Sequence, residues 1–258
     1  MTDASAPDTA KPHASGAANE AVEIVKTIVY ALLIALVLRV ILFQPFTIPS
    51  ESMEPALLKG DYIIVSKYSY GWSHHSIPFS PPLFHGRVLE RTPKRGDIIV
   101  FKLPRDGHTD YIKRLIGLPG DRVQVNNGQV FVNGVPIPRQ FDGQTQDPGN
   151  KSMTVTKYVE TMTNGKTYTT FDEAPDHDGD TTDVYIVPEH MYFFMGDNRD
   201  NSLDSRWSSQ YGVGFVPAEN LVGKAQIILL SWSDGASLFK PWTWFTNAQP
   251  KRFFHRLQ

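Results

Sequence analysis

Phe46-Thr-Ile-Pro-Ser-Glu-Ser-Met-Glu-Pro55 stands where the one long apolar run of the chain stops and the first β-branched segment starts. The residues before it read as helix and those after it mainly as strand, so the fold turns on this junction. Pro49 disfavours helix at Ile48, and Pro55 does the same at Glu54, so the segment is expected to be extended or turning, with backbone N–H groups presented outward. Such groups stabilise an oxyanion. Ser52 is the candidate reactive hydroxyl, although Ser-x-Ser between prolines is also the composition of an ordinary polar turn.

Upstream, Ile24 to Phe43 supplies 20 residues, about 30 Å of helix and enough to cross a bilayer. Lys26 and Arg39 sit near its two ends, where their charges can snorkel to headgroups. Residues 23–43 are therefore expected to form an uncleaved transmembrane anchor. A cleaved signal peptide fits less well, because the preceding segment is acidic and no small-x-small cleavage site comes after the run. Residues 1–22, rich in Ala, Pro, Ser and Thr, read as a mobile tail. The two flanking charges do not orient the span.

The whole chain of 258 residues has 41% hydrophobic residues, ample for a packed body, and a formal net charge of -2. Neither that balance nor any basic stripe points to nucleic acid. Without cysteine, disulfides, thiol nucleophiles and Cys-ligated metals are excluded.

Downstream, Asp61 to Lys67, Gly96 to Lys102 and Tyr111 to Ile116 are short, β-branched and bounded by Gly or Pro, as strands are. Gly71 to Pro93 between the first two reads as a surface loop, and its His74-His75 pair lacks the further ligands a metal site needs. Arg122 to Val125 and Gln129 to Val132 flank Asn126-Asn127-Gly128, a hairpin signal. Residues 138–187 turn polar and read as an inserted β-rich lobe dividing the core into 44–137 and 188–232. Inside it, Asp176 to Asp180 alternates carboxylates as a calcium loop does, but Thr181 and Val187 occupy positions that need Gly and Glu, so it is expected to be an exposed acidic turn. Met191 to Met195 is a buried strand running into the polar loop Gly196 to Arg206, and Leu221 to Leu230 is the last strand. Residues 233–258, with Trp242, Trp244, Phe245 and several basic residues, have the composition of a membrane-interface tail.

A serine hydroxyl needs a base. No histidine lies in a recognisable triad motif, whereas Lys113 interrupts an apolar strand and by alternation shares a face with Tyr111 and Leu115, which would desolvate it and keep it neutral. A strand lysine pointing to solvent is the competing reading.

The runs Ile48-Pro-Ser-Glu-Ser-Met53 with Leu57, Gly60 and Asp61, Arg95 to Phe101, Asp110 to Asp121 and Gly196 to Arg206 together resemble, in order, the motif boxes of type I signal (leader) peptidases. The resemblance implies a mainly β catalytic core behind one N-terminal transmembrane helix, and a membrane-bound serine endopeptidase that removes signal peptides after small residues without cofactor or metal. It implies Ser52 as nucleophile, Lys113 as general base, Ser50 with the Ser52 N–H as oxyanion hole, Ser202 orienting the lysine, and Asp204 with Arg206 bracing the site. Phe46, Ile48, Pro49, Met53, Leu57, Tyr111 and Ile112 match the residues lining the pockets for the first and third side chains before the cut. It also implies signal peptides and membrane lipid as partners, a cytoplasmic tail, and a body on the outer face of the bacterial inner membrane. Two departures stand out: Glu51 replaces the Gly common in the family, and Trp207 to Val213 is longer than the usual link. A self-cleaving repressor would need a DNA-binding module that residues 1 to 45 do not offer, and a non-catalytic tethered binding module would leave Lys113 solvated.

Overall fold

The computed structural model describes residues 14–233, 235–236, 240 and 242–257. The first 13 residues of the expected tail, and parts of the expected interface tail, lie outside the described residues.

Helix α1 spans Ala14–Ile41, beginning ten residues ahead of the apolar run. The physical reason is composition: Ala and Glu dominate Ala14 to Glu23, and both are strong helix formers that extend a helix already nucleated by the apolar segment. Ile24, Leu32 and Ile34 are 61, 64 and 61% exposed, and the stretch Asn19–Ile41 is long and apolar enough to cross a membrane. Apolar exposure on this scale is stable only in a non-aqueous surrounding. This unit ends at Arg39, and a second compact unit runs from Val40.

The second unit is mainly β. Its strands in chain order are β1 (Phe43–Thr47), β2 (Asp61–Ser66), β3 (Ile98–Lys102), β4 (Asp110–Gly117), β5 (Arg122–Asn126), β6 (Gln129–Val132), β7 (Val135–Pro136), β8 (Arg139–Gln146), β9 (Thr154–Thr161), β10 (Thr167–Asp172), β11 (Tyr185–Ile186), β12 (Met191–Met195), β13 (Val216–Pro217), β14 (Leu221–Ser231) and β15 (His255–Arg256), with a short helix α2 (Trp242–Thr246) before the last. The main sheet has the order β1-β2-β14-β3-β4-β12-β13, with β15 added to β14. Strands far apart in sequence are thus adjacent, which brings the segment before β2 and the loop after β12 to the same strand, β4. A smaller sheet, β11-β5-β6-β7, and a third, β10-β9-β8, complete the body.

Register follows side-chain chemistry. β3 buries Ile98, Ile99, Val100 and Phe101, as expected for a strand covered on both faces. Met53, Leu57, Ile63 and Ile98 form one apolar cluster, and Phe101, Leu115 and Phe194 a second. Asn126 pairs with Gln129 across the β5–β6 hairpin, and the two turn residues, Asn127 and Gly128, have φ of 48° and 72°. Both positive values are those of a type I′ turn, which Asn-Gly adopts at least cost.

Three local expectations are changed by burial. His75 belongs to a short 3₁₀ turn and is only 9% exposed, so it is not solvated; burial lowers its pKa to about 4. The acidic turn is exposed at Asp176, His177 and Asp178 as expected, but Asp180 at its end is buried, its carboxylate accepting the His177 N–H at 2.9 Å. The C-terminal segment is also more than a surface tail. Arg252 donates to both carboxylate oxygens of the buried Asp61, at 3.1 and 2.5 Å, β15 pairs with β14 and Leu257 enters the first apolar cluster. Trp242 and Phe245 nevertheless remain exposed, at 63 and 86%.

Candidate active site

The turn between β1 and β2 carries Ser52. Ile48 N–H donates to Asp61 O at 2.9 Å, Glu54 N–H to Glu51 O at 3.0 Å and Leu57 N–H to Met53 O at 2.9 Å, so the residues after Pro49 are wound into consecutive turns rather than a helix. Fully buried Met53 and Leu57 anchor these turns from below, leaving the Ser52 hydroxyl free to face outward.

Lys113 lies mid-strand in β4, paired with Ile99 of β3. Its Nζ is 2.5 Å from Ser52 Oγ and donates to Ile112 O at 3.1 Å. The residue is 3% exposed, and the Tyr111 ring centroid is 5.5 Å from Nζ. Burial is the main cause that lowers the Lys113 pKa to about 8; Asp204 and Asp197 pull the other way. Desolvation penalises the ammonium form, and the carboxylates are too weakly coupled to restore it. The solvated-lysine alternative does not describe this side chain.

Ser50 Oγ is 3.4 Å from Ser52 Oγ. Ser202 is buried, and its hydroxyl has no hydrogen-bond partner among the described residues. Its placement depends on Gly196: a Cβ there would meet Ser202 Oγ at 2.3 Å and Ser52 O at 2.5 Å. Asp204 accepts Gly196 N–H at 2.9 Å and Arg206 Nη2 at 2.9 Å through Oδ2, and Arg206 N–H and Nε at 3.1 and 3.0 Å through Oδ1. Burial alone would raise the Asp204 pKa; Arg206 and these donors overcome it and hold the carboxyl below its ordinary range.

Ser50, Ser52, Lys113 and Ser202 open onto one cleft of about 590 Å³, lined also by Pro49, Tyr111, Ile112, Leu203 and Trp207. Of the other residues matched by motif, Ile48 lines, with Pro49, a neighbouring apolar cleft of about 540 Å³. Phe46 packs on the apolar cluster that contains Met53 and Leu57, and these three back the site rather than line either cleft.

Several residues joined to the site were not singled out in sequence. Arg114 Nε and Nη2 donate to the two oxygens of Asp197, both at 2.7 Å, and the pair is buried. Asn198 N–H donates to Ser52 O at 3.2 Å, tying the Ser52 turn to the loop after β12. A usable signal existed for Arg114: a charge in an otherwise apolar strand, on the face opposite Lys113, needs a buried carboxylate. Its partner was not legible, because the loop offers several acids.

An amine whose burial lowers its pKa to about 8, at hydrogen-bonding distance from a hydroxyl and opening with it onto one cleft, is equipped for acyl transfer. Residues 21–232 match the family model described as signal peptidase, peptidase S26. The chain is 43% identical over 249 residues to a signal peptidase I of Rickettsia akari, covering 88% of this chain and 90% of that one. It is 42% identical over 232 residues to a signal peptidase I of Rickettsia typhi, covering 83% of this chain and 86% of that one. Among solved structures, a signal peptidase I of Enterococcus faecalis matches at 30% identity and a TM-score of 0.31, covering 52% of this chain and 97% of the other.

Proposed function

This chain belongs to the signal peptidase family, peptidase S26, a family of hydrolases, and from that premise we propose that it is a membrane-anchored serine endopeptidase that cuts signal peptides from exported precursors with a Ser52/Lys113 dyad. The observation that carries the reading is the 2.5 Å approach of Lys113 Nζ to Ser52 Oγ by an amine whose burial lowers its pKa to about 8.

Neutral Lys113 accepts the Ser52 proton as Oγ attacks the scissile carbonyl carbon. Negative charge develops on the carbonyl oxygen, where the Ser52 N–H and the Ser50 hydroxyl donate. As the tetrahedral intermediate collapses, the C–N bond breaks and the Lys113 ammonium returns the proton to the departing amine. The ester left on Ser52 is hydrolysed by a water that Lys113 deprotonates, and Ser52 regains its proton. Asp204 and Arg206 brace the Gly196 turn, and Ser202, packed against Gly196, limits where the lysine can swing.

Pro49, Tyr111 and Ile112 accept the side chains before the cut, with Ile48 alongside and Phe46, Met53 and Leu57 as the rigid layer behind. A rigid backing leaves shallow pockets, which reject bulk by clash more sharply than they reward fit, so small residues are preferred at the first and third positions. On this reading Ile24 to Phe43 anchors the chain in the inner membrane with the catalytic body on the periplasmic side, where signal peptides emerge, and the exposed Trp242 and Phe245 rest on lipid.

Purified full-length protein incubated with an exported precursor should release the mature chain, and Ser52→Ala and Lys113→Met should each abolish release. Cleavage by folded Lys113→Met would remove the dyad.

A further inference from the structure

We infer that Leu203 and Trp207 form a separate subsite of the same cleft, one that receives an apolar side chain from the first residue after the cut. The inference rests on the peptidase reading above and extends it to the half of the substrate that leaves.

The apolar residues lining the cleft are Pro49, Tyr111, Ile112, Leu203 and Trp207. The first three come from the nucleophile turn and β4 and are taken by side chains before the cut. Leu203 and Trp207 come from the loop after β12, the one whose Asn198 N–H holds the Ser52 carbonyl at 3.2 Å. The departing amine must face Lys113, which returns its proton. The Leu203 and Trp207 side chains are the apolar wall that remains for the residue carrying that amine.

This wall is built, not incidental. Leu203 is 55% exposed, an apolar side chain kept open to the cleft while its neighbours Ser202 and Asp204 are buried. The Trp207 indole Nε1–H donates to Ser202 O at 3.1 Å. Gly214 N–H donates to Trp207 O and Val213 N–H to Asp204 O, both at 3.1 Å. A Cβ on Gly212 would lie 2.4 Å from Trp207 Cβ, so the longer link from Trp207 to Val213 folds back against the base of that side chain, whose ring is held by the Ser202 bond. A fixed aromatic ring beside an exposed leucine fits an apolar side chain, and neither gives a charged one a partner, although Asp110 and Asp200 line the same cleft.

The test uses full-length protein and a set of precursors varied one position at a time. Leu203→Asp alters an exposed side chain and is compatible with folding. It should lower kcat/KM by about tenfold or more for precursors with Leu or Phe as the first residue after the cut, and improve those with Lys there. The preference for Ala over Leu at the residue before the cut should stay as in the parent enzyme. A shift in that latter preference, or no shift in either by a folded variant, would overturn the assignment. Ser52→Ala runs alongside; if it still cut, the peptidase reading would fail and the subsite with it, an outcome distinct from an active enzyme whose preference after the cut does not move.

Discussion

At Lys113 the proposed role as base and the stability of the fold oppose each other. The amine is buried and its pKa is lowered from the ordinary 10.5 to about 8. Between those two values the unfolded chain holds a proton that the folded chain has released, so this residue's cost to the fold is largest below pH 8 and is relieved as pH rises toward 10.5. Lys113→Met should therefore abolish cleavage while raising stability at neutral pH, by up to about 3 kcal/mol, visible as a higher Tm in thermal unfolding. An inactive variant with a lower Tm would contradict the desolvation argument. In the parent enzyme kcat/KM should climb with pH through a limb near 8, since the base works only when neutral. Gly196 offers the second test at this scale. A methyl there collides with Ser202 Oγ and Ser52 O, so Gly196→Ala should cost on the order of 10²-fold in kcat, because displacements of about 1 Å matter that much to a reacting pair.

Between elements, the buried Arg114–Asp197 pair joins β4 to the loop after β12. Removing one partner leaves the other charged and without compensation in the interior, so Asp197→Ala should destabilise by about 3–5 kcal/mol, measured by denaturant unfolding. The double change Arg114→Met/Asp197→Leu should recover much of that loss, because it leaves no buried charge. Arg252 and Asp61 pose the same problem at the C-terminal segment, where Asp61 is fully buried and Arg252 is partly exposed. Arg252→Ala should loosen β15 from β14, seen as faster amide exchange at Ile227 and Ile228, whose partners it holds in register.

For the whole molecule, the anchor reading makes a topological prediction. The chain has no cysteine, so one introduced at an exposed site is the sole thiol in the protein. Asp176→Cys should react with a membrane-impermeant reagent added outside intact cells from which the outer barrier has been stripped, and a cysteine at Thr9 should not. The reverse pattern would invert the proposed orientation.

The main β character, the Asn127-Gly128 turn and the apolar span were legible in sequence because each rests on local chemistry: alternation, a positive φ, and a run of residues with no polar face. Ser52 and Lys113, the proposed nucleophile and base, stood out for a different reason, since they sit in motif runs whose resemblance to the family does not depend on contacts. Tertiary structure decided whatever depends on strands distant in sequence becoming neighbours. β4 lies between β3 and β12, and only that order brings Ser52 to Lys113, Asp197 to Arg114 and Trp207 to the wall of the cleft. Met53 and Leu57 became backing rather than lining for the same reason: apolar residues beside Ser52 read alike in sequence, and only the packing above and below them determines which face the cleft and which meet the core.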